Sequence, residues 1–195
     1  MEKGGGFMPL SNDDKSLLLN IARQTIESYI KAKKIPGFDV QGQALLERRG
    51  VFVCIKESGE LRGCIGVFTS DKPLYLTIVD MAVSASTQDP RFSPLIPSKL
   101  SKISIELSCL TPLKKIKNVS EIQVGRHGLY IVKGYCRGVL LPQVATECGW
   151  DRDTFLEHTC LKAGLQPGCW KESGVDIYTF EAEVFGEGMK TDRCL

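Results

Sequence analysis

The sequence predicts an α+β fold built on a mainly antiparallel sheet packed with helices. Three observations lead there. Three segments carry apolar residues at helical spacing, several short segments alternate or run apolar as strands do, and pairs of those strands lie close enough in sequence to be hairpin neighbours. Helices and strands are interspersed, with no internal repeat, low-complexity tract or long linker.

Ser11 is placed to cap a first helix running to about Lys34. Leu17, Leu18, Ile21, Ala22, Thr25, Ile26, Tyr29 and Ile30 form its apolar stripe, and Ile35-Pro36-Gly37 stops it. Val51 to Glu57 reads as a strand, Ser58-Gly59 as a two-residue turn, and Glu60 to Phe68 as the hairpin partner. Pro73 opens a second helix with Leu74, Ile78, Val79, Ala82 and Val83 facing the core. It ends before Asp89-Pro90, because a residue preceding proline disfavours helical geometry.

Ile103 to Thr111 alternates Ile103, Ile105, Leu107 and Cys109 against Ser104, Glu106 and Ser108, the pattern of a half-buried strand. Gly125 to Leu141 supplies two strands joined near Gly134. Pro142 opens a short helix, and Asp151 starts another with Phe155, Leu156, Thr159, Cys160 and Ala163 inward and Gly164 as its stop. Val175 to Phe185 is a final strand.

Composition bounds the function classes. A chain of 195 residues buries roughly 70% of its unfolded surface, so no metal or disulfide is required for stability. Its 25 basic and 23 acidic residues leave a net charge of +2, which gives no case for duplex DNA or membrane binding. No stretch approaches the ~20 apolar residues of a membrane span. Met1 to Leu10 holds a glycine triplet and no signal-peptide core, and is expected to be flexible. Glu2 excludes N-myristoylation, and the terminal Asp192-Arg193-Cys194-Leu195 lacks a prenylation cysteine. The expected compartment is the cytoplasm.

Eight cysteines admit a disulfide framework or a set of free thiols. The length of the chain and the lack of an export signal favour reduced thiols. No Cys-x-x-Cys pair occurs and only two histidines are present, so neither metal nor other cofactor is expected.

Leu61-Arg62-Gly63-Cys64-Ile65-Gly66 is the segment richest in chemistry. In an extended strand Arg62, Cys64 and Gly66 share a face, about 6.5 Å apart in succession. Glycines in a strand mark places where backbone or a ligand approaches closely, which makes Gly63 and Gly66 candidate ligand contacts. A guanidinium near a thiol favours the nucleophilic thiolate, so Cys64 is a candidate nucleophile and Arg62 a candidate anion-binding group. The competing reading is a packed cysteine and a structural ion pair. Because the hairpin looks covered on both faces, Arg62 needs a partner, Glu106 or Asp89 being first choices. Glu106 is also a candidate general acid or base. Asp89 and Arg91 flank a rigid proline in a loop, either as ligand-binding groups or as a turn closed on itself. A His158–Cys64 dyad would need a tertiary contact. Gly125-Arg126-His127-Gly128 has the spacing of an RNA-binding Gly-x-x-Gly loop, but its neighbours read as strands, so a hairpin turn is expected.

The hexapeptide, followed by Asp89-Pro90-Arg91-Phe92, Ile105-Glu106-Leu107-Ser108, Gly128-Leu129-Tyr130-Ile131, Val139 to Ala145 and Glu157 to Leu165, resembles the AMMECR family in family order over nearly the whole chain. That family is named for a chromosomal region of Alport syndrome, midface hypoplasia and elliptocytosis; its free-standing microbial members are called AmmeMemoRadiSam system protein A. The resemblance implies one domain over residues 1–195 with two unequal sub-lobes, and the hexapeptide on a sheet near a cleft. It also implies association with a Memo-like protein and a radical-SAM enzyme. The chain lacks the latter's three-cysteine motif and would be a companion to both. No activity is implied, so two functions stay open. One is an enzyme or binding protein for an unidentified small molecule at the hexapeptide. The other is a non-catalytic regulatory or scaffolding module for a protein or RNA partner.

Overall fold

The computed structural model describes residues 7–188. Helices accompany two antiparallel four-stranded sheets, as the α+β expectation requires. The chain divides into two compact units, one running to Leu110 and resuming at Glu183, the other spanning Thr111–Ala182.

In the first unit, helix α1 (Asn12–Ala32) begins where the Ser11 hydroxyl accepts the Asp14 N–H while the Asp14 carboxylate accepts the Ser11 N–H. This reciprocal cap satisfies two donors that an open helix end leaves unpaired. Leu18, Ile21, Ala22, Thr25, Ile26 and Ile30 face inward. Leu17, expected in that stripe, is exposed instead. After a four-residue helix α2 (Gln43–Leu46), strands β1 (Val51–Glu57) and β2 (Glu60–Val67) form the expected hairpin. Helix α3 (Leu74–Thr87) follows, then a 3-10 turn and β3 (Ile103–Leu110). The sheet order is β2-β1-β3-β8, so β2 is an edge strand. Val51, Val53 and Ile55 of β1 and Ile105, Leu107 and Cys109 of β3 are sealed in one core with α1 and α3. The alternation read in the sequence is the inner face of this sheet.

Residues 1–6 of the expected flexible N-terminus lie outside the described residues. Met8 is held, its N–H on Glu47 and its carbonyl on the buried Arg49, and Leu10 is buried.

In the second unit, β4 (Lys114–Lys115), β5 (Gly128–Lys133), β6 (Cys136–Leu140) and β7 (Asp176–Phe180) form a sheet ordered β4-β7-β5-β6. Helices α4 (Pro142–Glu147) and α5 (Arg152–Lys162) accompany it. Leu129, Ile131, Phe155, Leu156 and Ile177 make its core. Gly125–Gly128 is a hydrogen-bonded turn entering β5, with a 3-10 turn rather than a strand before it. The single final strand expected over Val175–Phe185 is two strands. Glu181 leaves the ladder to exchange hydrogen bonds with Thr111, and β8 (Ala182–Gly186) joins the other sheet.

Candidate functional site

The hexapeptide lies on the edge strand β2, and its two glycines are there for packing. A Cβ at Gly63 would sit 2.2 Å from the Ala85 carbonyl oxygen at the end of α3. One at Gly66 would sit 2.4 Å from the Phe52 ring. The close approach expected of a ligand at Gly63 and Gly66 is made by the protein itself.

The register of the hairpin is set by a bulge. Counting back from the Ser58-Gly59 turn would place Gly63 opposite Cys54. The pairs instead run Lys56 with Leu61 and Ile55 with Gly63, which leaves Arg62 without a cross-strand partner and sets Cys64 opposite Cys54. The two Cα atoms are 4.1 Å apart and the sulfurs are joined as a disulfide. Cys160 and Cys169 form a second disulfide inside the core of the second unit. The expectation of reduced thiols, and of a free Cys64, is corrected at these four positions. Register, rather than the cellular argument, decides which sulfurs meet. Cys109, Cys136 and Cys148 are free; burial pushes the Cys109 thiol up, out of the reactive range. Cys194 lies outside the described residues.

An edge strand presents unpaired backbone groups, and the loop after α3 takes up those of Cys64. The Asp89 carboxylate accepts the Cys64 N–H at 2.9 Å, and an Arg91 guanidinium nitrogen lies 3.4 Å from the Cys64 carbonyl oxygen. Asp89 is 4% exposed and also accepts from Arg91 Nε at 3.0 Å and Nη2 at 2.8 Å. The Arg91 guanidinium, then the Cys64 amide, hold the Asp89 carboxyl well below the usual carboxylate range against the opposing effect of burial. Asp89–Phe92 therefore locks the strand in place. Of the two readings left open for this loop, the self-closed Asp–Arg turn is present, and it grips the hexapeptide as well.

Arg62 does not pair with Asp89, which Arg91 occupies, or with Glu106, which pairs with Lys56 at 2.9 Å. It donates to the Ser93 carbonyl at 2.6 Å and lies 3.9 Å from Glu57, whose carboxylate is taken more closely by Lys99 at 2.5 Å. The Lys99 ammonium, with help from Arg62 and Lys102, holds Glu57 below its ordinary range. The Arg62 and Arg91 guanidiniums both lie over the Phe92 ring, 5.8 and 5.4 Å from its centre. Beside them Glu57, Ser58, Glu60, Leu61 and Arg62 line an open depression of about 250 Å³. Sequence reasoning missed Glu57 and Ser93 as Arg62's partners, since both depend on the bulge. His158, the other proposed member of a dyad, stacks on Trp150 in the second unit with ring centres 3.9 Å apart. Among the described residues no group of three or more His, Cys, Asp or Glu side chains is placed to hold a metal ion. Nor is any helix there long and apolar enough to cross a membrane.

Comparison with known proteins finds similar chains. A protein of Methanothermobacter thermautotrophicus is 43% identical over 190 residues, covering 93% of this chain and 98% of the relative. One from Methanosarcina barkeri is 46% identical over 179 residues, covering 87% and 88%. The crystal structure of an uncharacterised protein from Pyrococcus horikoshii superposes with a TM-score of 0.79 at 38% identity, covering 88% of this chain and 90% of that one. The AMMECR1 family model matches residues 19–185, and the chain belongs to the AMMECR1 family.

Proposed function

We propose that this chain is a ligand-binding protein whose site is the surface shared by the hexapeptide hairpin and the Asp89–Ser93 loop. Its ligand is a small molecule with a carboxylate or phosphate group. The observation that carries the reading is the pair of guanidiniums over one Phe92 ring. Arg62 shares its acid partner with Lys99, and the Arg91 side chain stays 55% exposed after binding Asp89. Both keep donors for an incoming anion, and a planar guanidinium fork suits carboxylate and phosphate alike. The open depression lined by Arg62 supports this reading.

An enzymatic version, with Cys64 as nucleophile and Glu106 as acid or base, requires the Cys54–Cys64 bond to open and Glu106 to leave Lys56. Binding without catalysis requires neither. A cytoplasmic location and the Memo-like and radical-SAM companions belong to the proposal as well.

A thermal-shift screen of carboxylate and phosphate metabolites tests it. At least one class should raise the melting temperature of the native chain, and Arg62→Gln and Arg91→Gln should each remove that rise. No shift from any anion, or a shift that survives both changes, refutes the assignment.

A further inference from the structure

We propose that Cys54–Cys64 is a redox-active disulfide that exchanges with a low-molecular-weight thiol while the chain stays folded. The inference goes beyond the ligand reading and stands whether or not Arg62 binds an anion.

The first support is position. Val51, Val53 and Ile55 point into the core, so Cys54, between them in sequence, lies on the opposite face of the sheet. Both Cys54 and Cys64 are half-buried. Cys160 and Cys169 are sealed, at 0% and 1% exposure. Half-buried cysteines in a sheet admit a small thiol more readily than a protein-borne one, and access is one determinant of exchange.

The second support is a backbone that does not depend on the bond. Seven cross-strand pairs hold β1 to β2. Asp89 and Arg91 hold the amide and carbonyl of Cys64 from the other side. With the bond open, the two thiols would remain face to face, ready to close again.

The chemistry balances with two equivalents of thiol. A thiolate attacks Cys64 Sγ on the edge strand, an S–S bond forms to the incoming sulfur, and the Cys54–Cys64 bond breaks with its electron pair leaving on Cys54. A second thiolate attacks the mixed disulfide and releases Cys64 as thiolate together with the oxidised small molecule. The two protons given up by the thiols end on Cys54 and Cys64. The protein disulfide is reduced, the thiol is oxidised, and a small-molecule disulfide reverses the cycle.

The test incubates the native chain in graded ratios of reduced to oxidised dithiothreitol and samples it over time until equilibrium. Acid quenching, alkylation and peptide mass spectrometry then read each cysteine, with far-UV circular dichroism recorded in parallel. Cys54 and Cys64 should convert together with unchanged dichroism, at a rate roughly tenfold or more above Cys160–Cys169. In Cys54→Ser, Cys64 should collect a mixed disulfide from oxidised glutathione that no internal thiol resolves. Conversion only on loss of dichroism, or no faster than at Cys160–Cys169, overturns the proposal. So does a dithiol that persists at the most oxidising ratio, or Cys64 left unmodified in Cys54→Ser.

Discussion

Cys54–Cys64 in the first unit and Cys160–Cys169 in the second span nearly the same length of chain, 10 and 9 residues. On the chain-entropy account each therefore contributes about 2.7 kcal/mol by restricting the unfolded chain. What separates them is their surroundings. Cys160 and Cys169 are sealed beside Phe155 and Leu156 and belong to a core. Cys54 and Cys64 join two strands already paired along their length, and both are half-buried. The same covalent bond is packing in one unit and chemistry in the other.

The largest expected effect sharpens that contrast. Cys160→Ala with Cys169→Ala should cost about 4–5 kcal/mol, the loop contribution plus the cavity left in a closed core, read by urea denaturation. Cys54→Ser with Cys64→Ser should cost only the loop contribution, about 2–3 kcal/mol. Equal losses would break the comparison.

Gly63→Ala comes next. Its Cβ meets backbone at the end of α3, which cannot rotate away, so the loss should be about 3 kcal/mol. Gly66→Ala meets the Phe52 ring and, at 2.5 Å, the Val51 carbonyl oxygen, and should cost a similar amount. A loss below about 1 kcal/mol at Gly63 would mean that it is not fixed by α3.

A smaller effect depends on pH. The folded-state pKa of Asp89 is depressed, so its stabilisation is fully present above the unfolded value of 3.8 and is lost as pH falls from there through the lower folded value. The melting-temperature gap between wild type and Asp89→Asn should stay flat from neutral pH to about pH 5 and shrink below about pH 4. A gap that widens in acid would contradict the direction of this shift. The smallest effect is a null one: near-balanced charge predicts negligible affinity for duplex DNA at physiological salt. A steep salt dependence in a fluorescence-anisotropy titration would oppose it.

Much of the fold was legible in the sequence because periodicity reports burial. The α1 stripe, the β1–β2 turn, the α3 core face and the β3 alternation all lie where apolar spacing puts them. The four-residue α2 is too short to carry a period. The break at Glu181 is invisible to alternation, because a strand that changes sheets keeps its pattern while its hydrogen bonds move to Thr111. The site was legible in part. Arg62, Cys64, Asp89 and Arg91 do lie close together, with Asp89 buried, but the partners of Arg62 and Cys64 were not foreseen. One extra residue at Arg62 moves Cys64 opposite Cys54 and frees Arg62 for Glu57 and Ser93, and nothing in residue type announces a bulge.

Arg62 and Arg91 are the proposed anion-binding pair, and ligand binding stands or falls with them. Native mass spectrometry of the freshly purified chain, beside Arg62→Gln and Arg91→Gln, puts that to a single measurement. The wild-type chain should carry a bound anionic metabolite that both variants lose while keeping wild-type circular dichroism. A wild-type chain that carries no anionic adduct, or an adduct that both variants retain in full, would contradict it.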